Sequence, residues 1–109
     1  HDFLMDSRRL EAIVKRVDSP WFAVNLDSGN FIEKDAYEAF ERTAPYAATV
    51  QLKVELRDKT GKKVPADMSR LIGILKKANY RGYVVLEYEA NEDPFTAIPR
   101  HLKELRGLI

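Results

Sequence analysis

The chain has 109 residues, 45% hydrophobic and 32% charged, which suits one globular domain of ordinary size. Eighteen basic residues stand against seventeen acidic ones, so net charge gives no ground for nucleic acid or an anionic membrane as partner. Cysteine is absent, which removes disulfides and thiolate zinc sites and is compatible with a cytoplasmic setting, and no run nears the ~20 apolar residues of a membrane span.

The chain opens on His-Asp-Phe-Leu rather than on methionine. The expectation is a processed protein or a piece of a longer one, with His1 read as a loop residue and not as a ligand. In residues 7–17, SRRLEAIVKRV, Leu10, Ile13, Val14 and Val17 recur at helical spacing with basic residues opposite, which predicts an amphipathic helix. Asp6 or Ser7 can cap its start, and Asp18-Ser19-Pro20 stops it. WFAVNLD, 21–27, predicts a strand by its β-branched and aromatic content, and the Asp27-Ser28-Gly29-Asn30 stretch a loop.

Residues 35–43, DAYEAFERT, predict a short helix capped by Asp35 and stopped before Pro45. Strand character returns at 49–56, TVQLKVEL. The polar, turn-rich RDKTGKKVPAD after it predicts a solvated loop or mobile flap, whose Lys59, Lys62 and Lys63 could meet a phosphate but in most such loops only meet water. A helix over 67–78 carries Leu71, Ile72, Leu75 and Ala78 on one face. YVVLEYE, 83–89, is the third strand, and a last helix over 94–105 is expected to turn Phe95, Ile98, Leu102 and Leu105 inward; His101 on that helix reads as a surface or packing residue.

Strands alternating with helices predict a parallel sheet with right-handed crossovers. Each strand carries an apolar side and a polar side, because successive side chains alternate. The polar sides bring Asp27 with Asn30, Gln51 with Lys53, and Glu87 with Glu89 to the carboxyl ends of the strands. A doubly wound sheet would be apolar on both faces, so a barrel with a polar lining fits better. Three carboxylates, two amides and a lysine suit a hard divalent cation and a polyhydroxylated substrate. Amphipathic strands with one wet face would produce the same alternation.

WFAVNLDSGNF, TVQLKVEL and ANYRGYVVLEYEANEDP, in this order and spacing, resemble the last three strands of the sugar phosphate isomerase/epimerase superfamily, which are xylose isomerase-like (β/α)8 barrels. The resemblance implies an α/β fold, a partial TIM barrel in which residues 1–109 form one C-terminal portion. It implies a metal set drawn from Asp27, Glu87 and Gln51, with Mn2+ or Mg2+, or Zn2+, in the full-length parent and none necessarily in this fragment. Glu87 would transfer the proton through an enediolate, Lys53 would neutralise charge or hold a substrate oxygen, and Asn30 and Gln51 would bind hydroxyls of a sugar or sugar phosphate. Glu89 is a reserve ligand.

Three departures are visible. Relatives carry histidine where this chain has Gln51, and many carry histidine where it has Asn30; a further glutamate ligand, from an earlier strand, has no counterpart here. The fragment alone is expected to be inactive and to self-associate through exposed sheet edges or to pair with the missing barrel portion. The alternative is a non-catalytic sugar-binding or structural barrel that has lost its metal site.

Overall fold

Four aspartates set where the helices begin. In the computed structural model, which describes residues 2–109, Asp6, Asp35, Asp67 and Asp93 each turn a carboxylate back onto the free backbone N–H groups of a first helical turn. The helices are α1 (Ser7–Val17), α2 (Ala36–Thr43), α3 (Met68–Lys77) and α4 (Pro94–Leu108). His1 lies outside the described residues. At its other end α1 closes on Asp18 in the left-handed conformation, φ 46°, whose N–H donates to the Val14 carbonyl.

Between the helices run three parallel strands, β1 (Val24–Asp27), β2 (Ala47–Lys53) and, after a short hairpin, β5 (Val84–Glu87). Their spatial order is β1-β2-β5, each strand beside its successor, as in the wall of a barrel. Asp27 is aligned with Gln51, and Lys53 with Glu87, so the polar ends of all three strands lie level. The opposite face carries Val24, Leu26, Val50 and Leu52, all buried in one cluster with Phe40, Leu71, Leu75 and Leu105. Helices therefore cover one side of the sheet, and the expected partial α/β barrel is the architecture found. Among the described residues no helix is long and apolar enough to cross a membrane.

Several boundaries differ from expectation for physical reasons. The first strand begins at Val24, because its ladder starts at the Val24–Ala47 pair; Trp21 precedes it and is 95% exposed. TVQLKVEL is not one strand. The chain bends at Val54 and turns into an antiparallel hairpin, β3 (Glu55–Arg57) with β4 (Lys63–Pro65), in place of the expected loop or flap. Asp58 Oδ1 accepts from the Thr60 and Lys62 N–H groups, and Gly61 takes φ 84°, which closes the turn. Phe95, expected inward, is exposed: the buried side of α4 is set by Ala97 and Leu105, and Phe95 falls off that stripe. Val17 is likewise exposed at the end of α1.

Candidate functional site

The parallel register places Lys53 between the acids. Lys53 ends β2 with its side chain only 10% exposed, and its Nζ lies 3.6 Å from Asp27 Oδ2, 3.2 Å from Glu87 Oε1 and 2.9 Å from Glu89 Oε2. One ammonium thus serves carboxylates from both neighbouring strands. Two contacts from the β1 loop fix it. Ser28, wholly buried, accepts from the Lys53 backbone N–H at 2.9 Å, while the Ser28 N–H donates to the Gln51 carbonyl at 3.0 Å. Gly29 lies so close to the Lys53 methylenes that a Cβ there would collide with them. The backbone of the loop therefore forms the wall along which the lysine stem runs.

Asp27 is committed on both oxygens: Oδ1 accepts from Gly29 N–H at 2.8 Å and Oδ2 from the Asn30 amide at 2.7 Å. Burial pushes the Asp27 carboxyl above its ordinary value, against the opposing pull of the Gly29 N–H and Lys53. Glu89 is lowered by its hydrogen bond to Lys53. Lys53 itself is raised: burial would lower it, and Glu89, Asp27 and Glu87 together more than offset that. Glu87 keeps one buried oxygen, Oε2, without a hydrogen-bond partner.

Beside this cluster the same face carries an amide ladder. Thr49 Oγ1 donates to Asn25 Oδ1 at 2.8 Å, and Asn25 Nδ2 donates to Gln51 Oε1 at 3.3 Å. A cavity of about 730 Å3 is lined by Asn25, Asp27, Asn30, Gln51, Lys53, Glu87 and Glu89 on the polar side. Leu4, Met5, Leu10 and Ile13 line its apolar side. This is within the ~300–1,000 Å3 usual for small-molecule sites. A smaller recess of about 210 Å3 adjoins it beneath the hairpin, with Arg57 and Lys63 beside Gly29, Asn30, Lys53 and Glu89.

All six residues singled out in the sequence, Asp27, Asn30, Gln51, Lys53, Glu87 and Glu89, line the one cavity. Of the three loop lysines only Lys63 lines the recess. His101 lies on α4 with Nδ1 3.5 Å from Glu104 and its ring 6.1 Å from that of Tyr88. Sequence reasoning missed Asn25 and Arg57 as lining residues and Ser28 and Gly29 as supports. Asn25 was legible as a member of the same alternating face; the other three had no signal beyond turn chemistry and the polarity of the loop.

As they stand, the donors do not fit a divalent ion. Asp27 is spent on Gly29 and Asn30, the Gln51 carbonyl on Asn25, and Glu87 Oε1 on Lys53. Among the described residues no group of three or more histidines or carboxylates is arranged to hold a metal. Two unit charges 4 Å apart interact by about 4 kcal/mol at an effective dielectric of about 20, and a divalent ion beside the ammonium doubles that repulsion. The carboxylates would attract such an ion only by giving up the lysine they share.

A family model described as xylose isomerase-like TIM barrel matches residues 2–106. No curated protein matches the chain significantly.

Proposed function

The chain belongs to the xylose isomerase-like TIM barrel family, and on that premise we propose that it contributes the proton-transfer site of a sugar isomerase or epimerase-like barrel. The observation that carries this reading is Glu87: one oxygen is held 3.2 Å from the Lys53 ammonium, and the other is buried without a partner in a residue lining the cavity. A carboxylate so placed can take a proton from the carbon next to a sugar carbonyl. The C–H electron pair then becomes the enediolate double bond, and the carbonyl oxygen takes the negative charge beside Lys53. Return of the proton from Glu87 to the neighbouring carbon, with the hydroxyl proton passing from the second oxygen to the first, completes isomerisation; epimerisation instead takes the proton from a donor on the opposite face of the same carbon.

Asn25, Asn30 and Gln51 supply donors and acceptors for hydroxyl groups. Arg57 and Lys63, in the adjoining recess, favour a substrate with an anionic end such as a sugar phosphate. A cytoplasmic location belongs to the same proposal. We also propose self-association. The outer edges of β1 and β5 are unpaired among the described residues, and Trp21 and Phe22 on one side and Tyr83 and Val85 on the other are exposed. A second copy supplies the matching edge.

The test is deuterium exchange. The protein in its full encoded length is incubated in heavy water with a panel of aldoses, ketoses and their phosphates, and deuterium at the carbon next to the carbonyl is followed by NMR. Exchange that disappears in Glu87→Gln supports the reading; absence of exchange from every sugar overturns it. A second reading, a binding barrel without catalysis, is favoured by the Gln51 amide, which is engaged with Asn25 where relatives have histidine. It predicts saturation-transfer signals from a bound sugar with no deuterium uptake.

A further inference from the structure

We infer that Lys53 is the resident cation of this site, and that its ammonium closes the acidic cluster to divalent metal while supplying the positive charge the cluster needs. The inference rests on the site assigned above, and it turns the poor fit of the donors to a metal into a statement about what replaces it.

Three independent features place the lysine there. Its Nζ lies within 3.6 Å of carboxylate oxygens from Asp27, Glu87 and Glu89, which come from the ends of two different strands. Its stem cannot simply withdraw, because Gly29 leaves room for the methylenes only by lacking a Cβ and Ser28 holds the backbone N–H at the root of the side chain. The residues that might otherwise turn toward an ion are held elsewhere: Asp27 by Gly29 and Asn30, Gln51 by Asn25. A mobile surface lysine that drifts toward acids would show none of these supports; its side chain would not be nine-tenths buried.

The chemical consequence is a substrate bound as oxygen to ammonium. A carbonyl or enediolate oxygen meets Lys53 directly as a hydrogen-bond acceptor, and Glu87, which lines the same cavity, stands beside it. Neutral hydroxyls are read by the amides. A site of this kind is insensitive to chelators, and its occupancy by substrate does not depend on added Mn2+.

The test titrates Mn2+ alone into the chain and reads the loss of its free-ion electron paramagnetic resonance signal. Four proteins are compared: wild type, Lys53→Met, Lys53→Arg and Gly29→Ala, each checked for folding by circular dichroism. The wild type and the arginine variant are expected to leave the Mn2+ signal unchanged at micromolar concentration. Lys53→Met removes the ammonium and leaves three carboxylates, and should gain affinity by at least about a hundredfold, the lower end of what relief of a close charge repulsion allows once solvent around Glu87 and Glu89 screens it. Gly29→Ala pushes the stem aside and should gain affinity in part.

Micromolar Mn2+ binding by the wild type that is lost in Asp27→Asn overturns the inference. So does a folded Lys53→Met that gains nothing. If Lys53→Met fails to fold, wild type and Gly29→Ala decide the matter in the same way. The inference and the proposed function fail separately. Deuterium exchange that needs Mn2+ sinks the inference and leaves the function standing. No exchange, with the Mn2+ titrations as expected, sinks the function and leaves the resident lysine standing.

Discussion

Lys53 and Glu87 meet twice: they are register partners across the β2–β5 ladder, and their side chains approach to 3.2 Å on the cavity side. The pairing is therefore set by the backbone before the side chains choose rotamers. Because Lys53 is nearly buried while Glu87 and Glu89 are partly exposed, removing the ammonium strands acids that keep some access to water. Lys53→Met is expected to destabilise the chain by about 1–3 kcal/mol at pH 7, below the ~3–5 typical of a fully buried pair. Urea denaturation at pH 7 and again at acid pH, where the stranded carboxylates take up protons, should show the penalty shrinking in acid. An equal penalty at both would mean that lost packing, not charge, is responsible.

Asp27 and Glu89 should titrate in opposite directions. Asp27 is raised above 3.8 chiefly by burial, so the folded state holds its proton longer than the unfolded one. Its contribution to stability falls as pH rises from 3.8 to the folded value. Glu89 is lowered from 4.5 by Lys53, so its contribution is present above 4.5 and is lost as pH falls through the folded value. Carbon-13 titration of the two carboxyl groups checks both. In Lys53→Met, Glu89 should return toward its ordinary value and Asp27 should rise further, since each loses the same ammonium.

The alternation within residues 21–27, 49–56 and 83–89 makes the shared polar face legible in the sequence. Side chains of period two, on strands level at their carboxyl ends, left few places where Asp27, Lys53 and Glu87 could go. What was hidden depended on contacts rather than pattern. Nothing in TVQLKVEL marks Val54 as a bend, because the alternation continues through it; the break follows from β4 returning to pair with β3. Gly29 reads as an ordinary turn residue, and its role as the wall along Lys53 exists only once β1 and β2 lie side by side. Phe95 carries the hydrophobicity of a core residue, yet Ala97 and Leu105 decide which side of α4 is covered.

The hairpin β3–β4 is a packed element and not a flap. Leu56 at its centre is 2% exposed and joins the main core, and the Ala66 N–H donates to the Val54 carbonyl at 2.9 Å where the hairpin returns. Leu56→Ala should cost about 2–5 kcal/mol, the range for a leucine truncated in a core, measured by chemical denaturation. Lys59→Ala at the exposed tip should cost less than about 0.5 kcal/mol. Comparable losses from both would mean that the hairpin is not anchored through Leu56.

Among the described residues three parallel strands leave two open edges, and these should determine how the chain behaves in solution. Each open edge presents unpaired backbone N–H and C=O groups, and the flanking Trp21, Tyr83 and Val85 offer apolar surface that water does not favour. Joining the β5 edge of one copy to the β1 edge of another preserves the parallel sense but leaves an edge free at either end. The contact is then head-to-tail and does not close after two copies. Sedimentation velocity over a range of concentrations should therefore show a coefficient that rises continuously, with no plateau at a dimer. Val85→Lys places a charge on the β5 side and should hold the chain as a monomer without loss of helical circular dichroism. A wild-type coefficient independent of concentration, or a Val85→Lys protein that associates as before, would remove the edges as the cause.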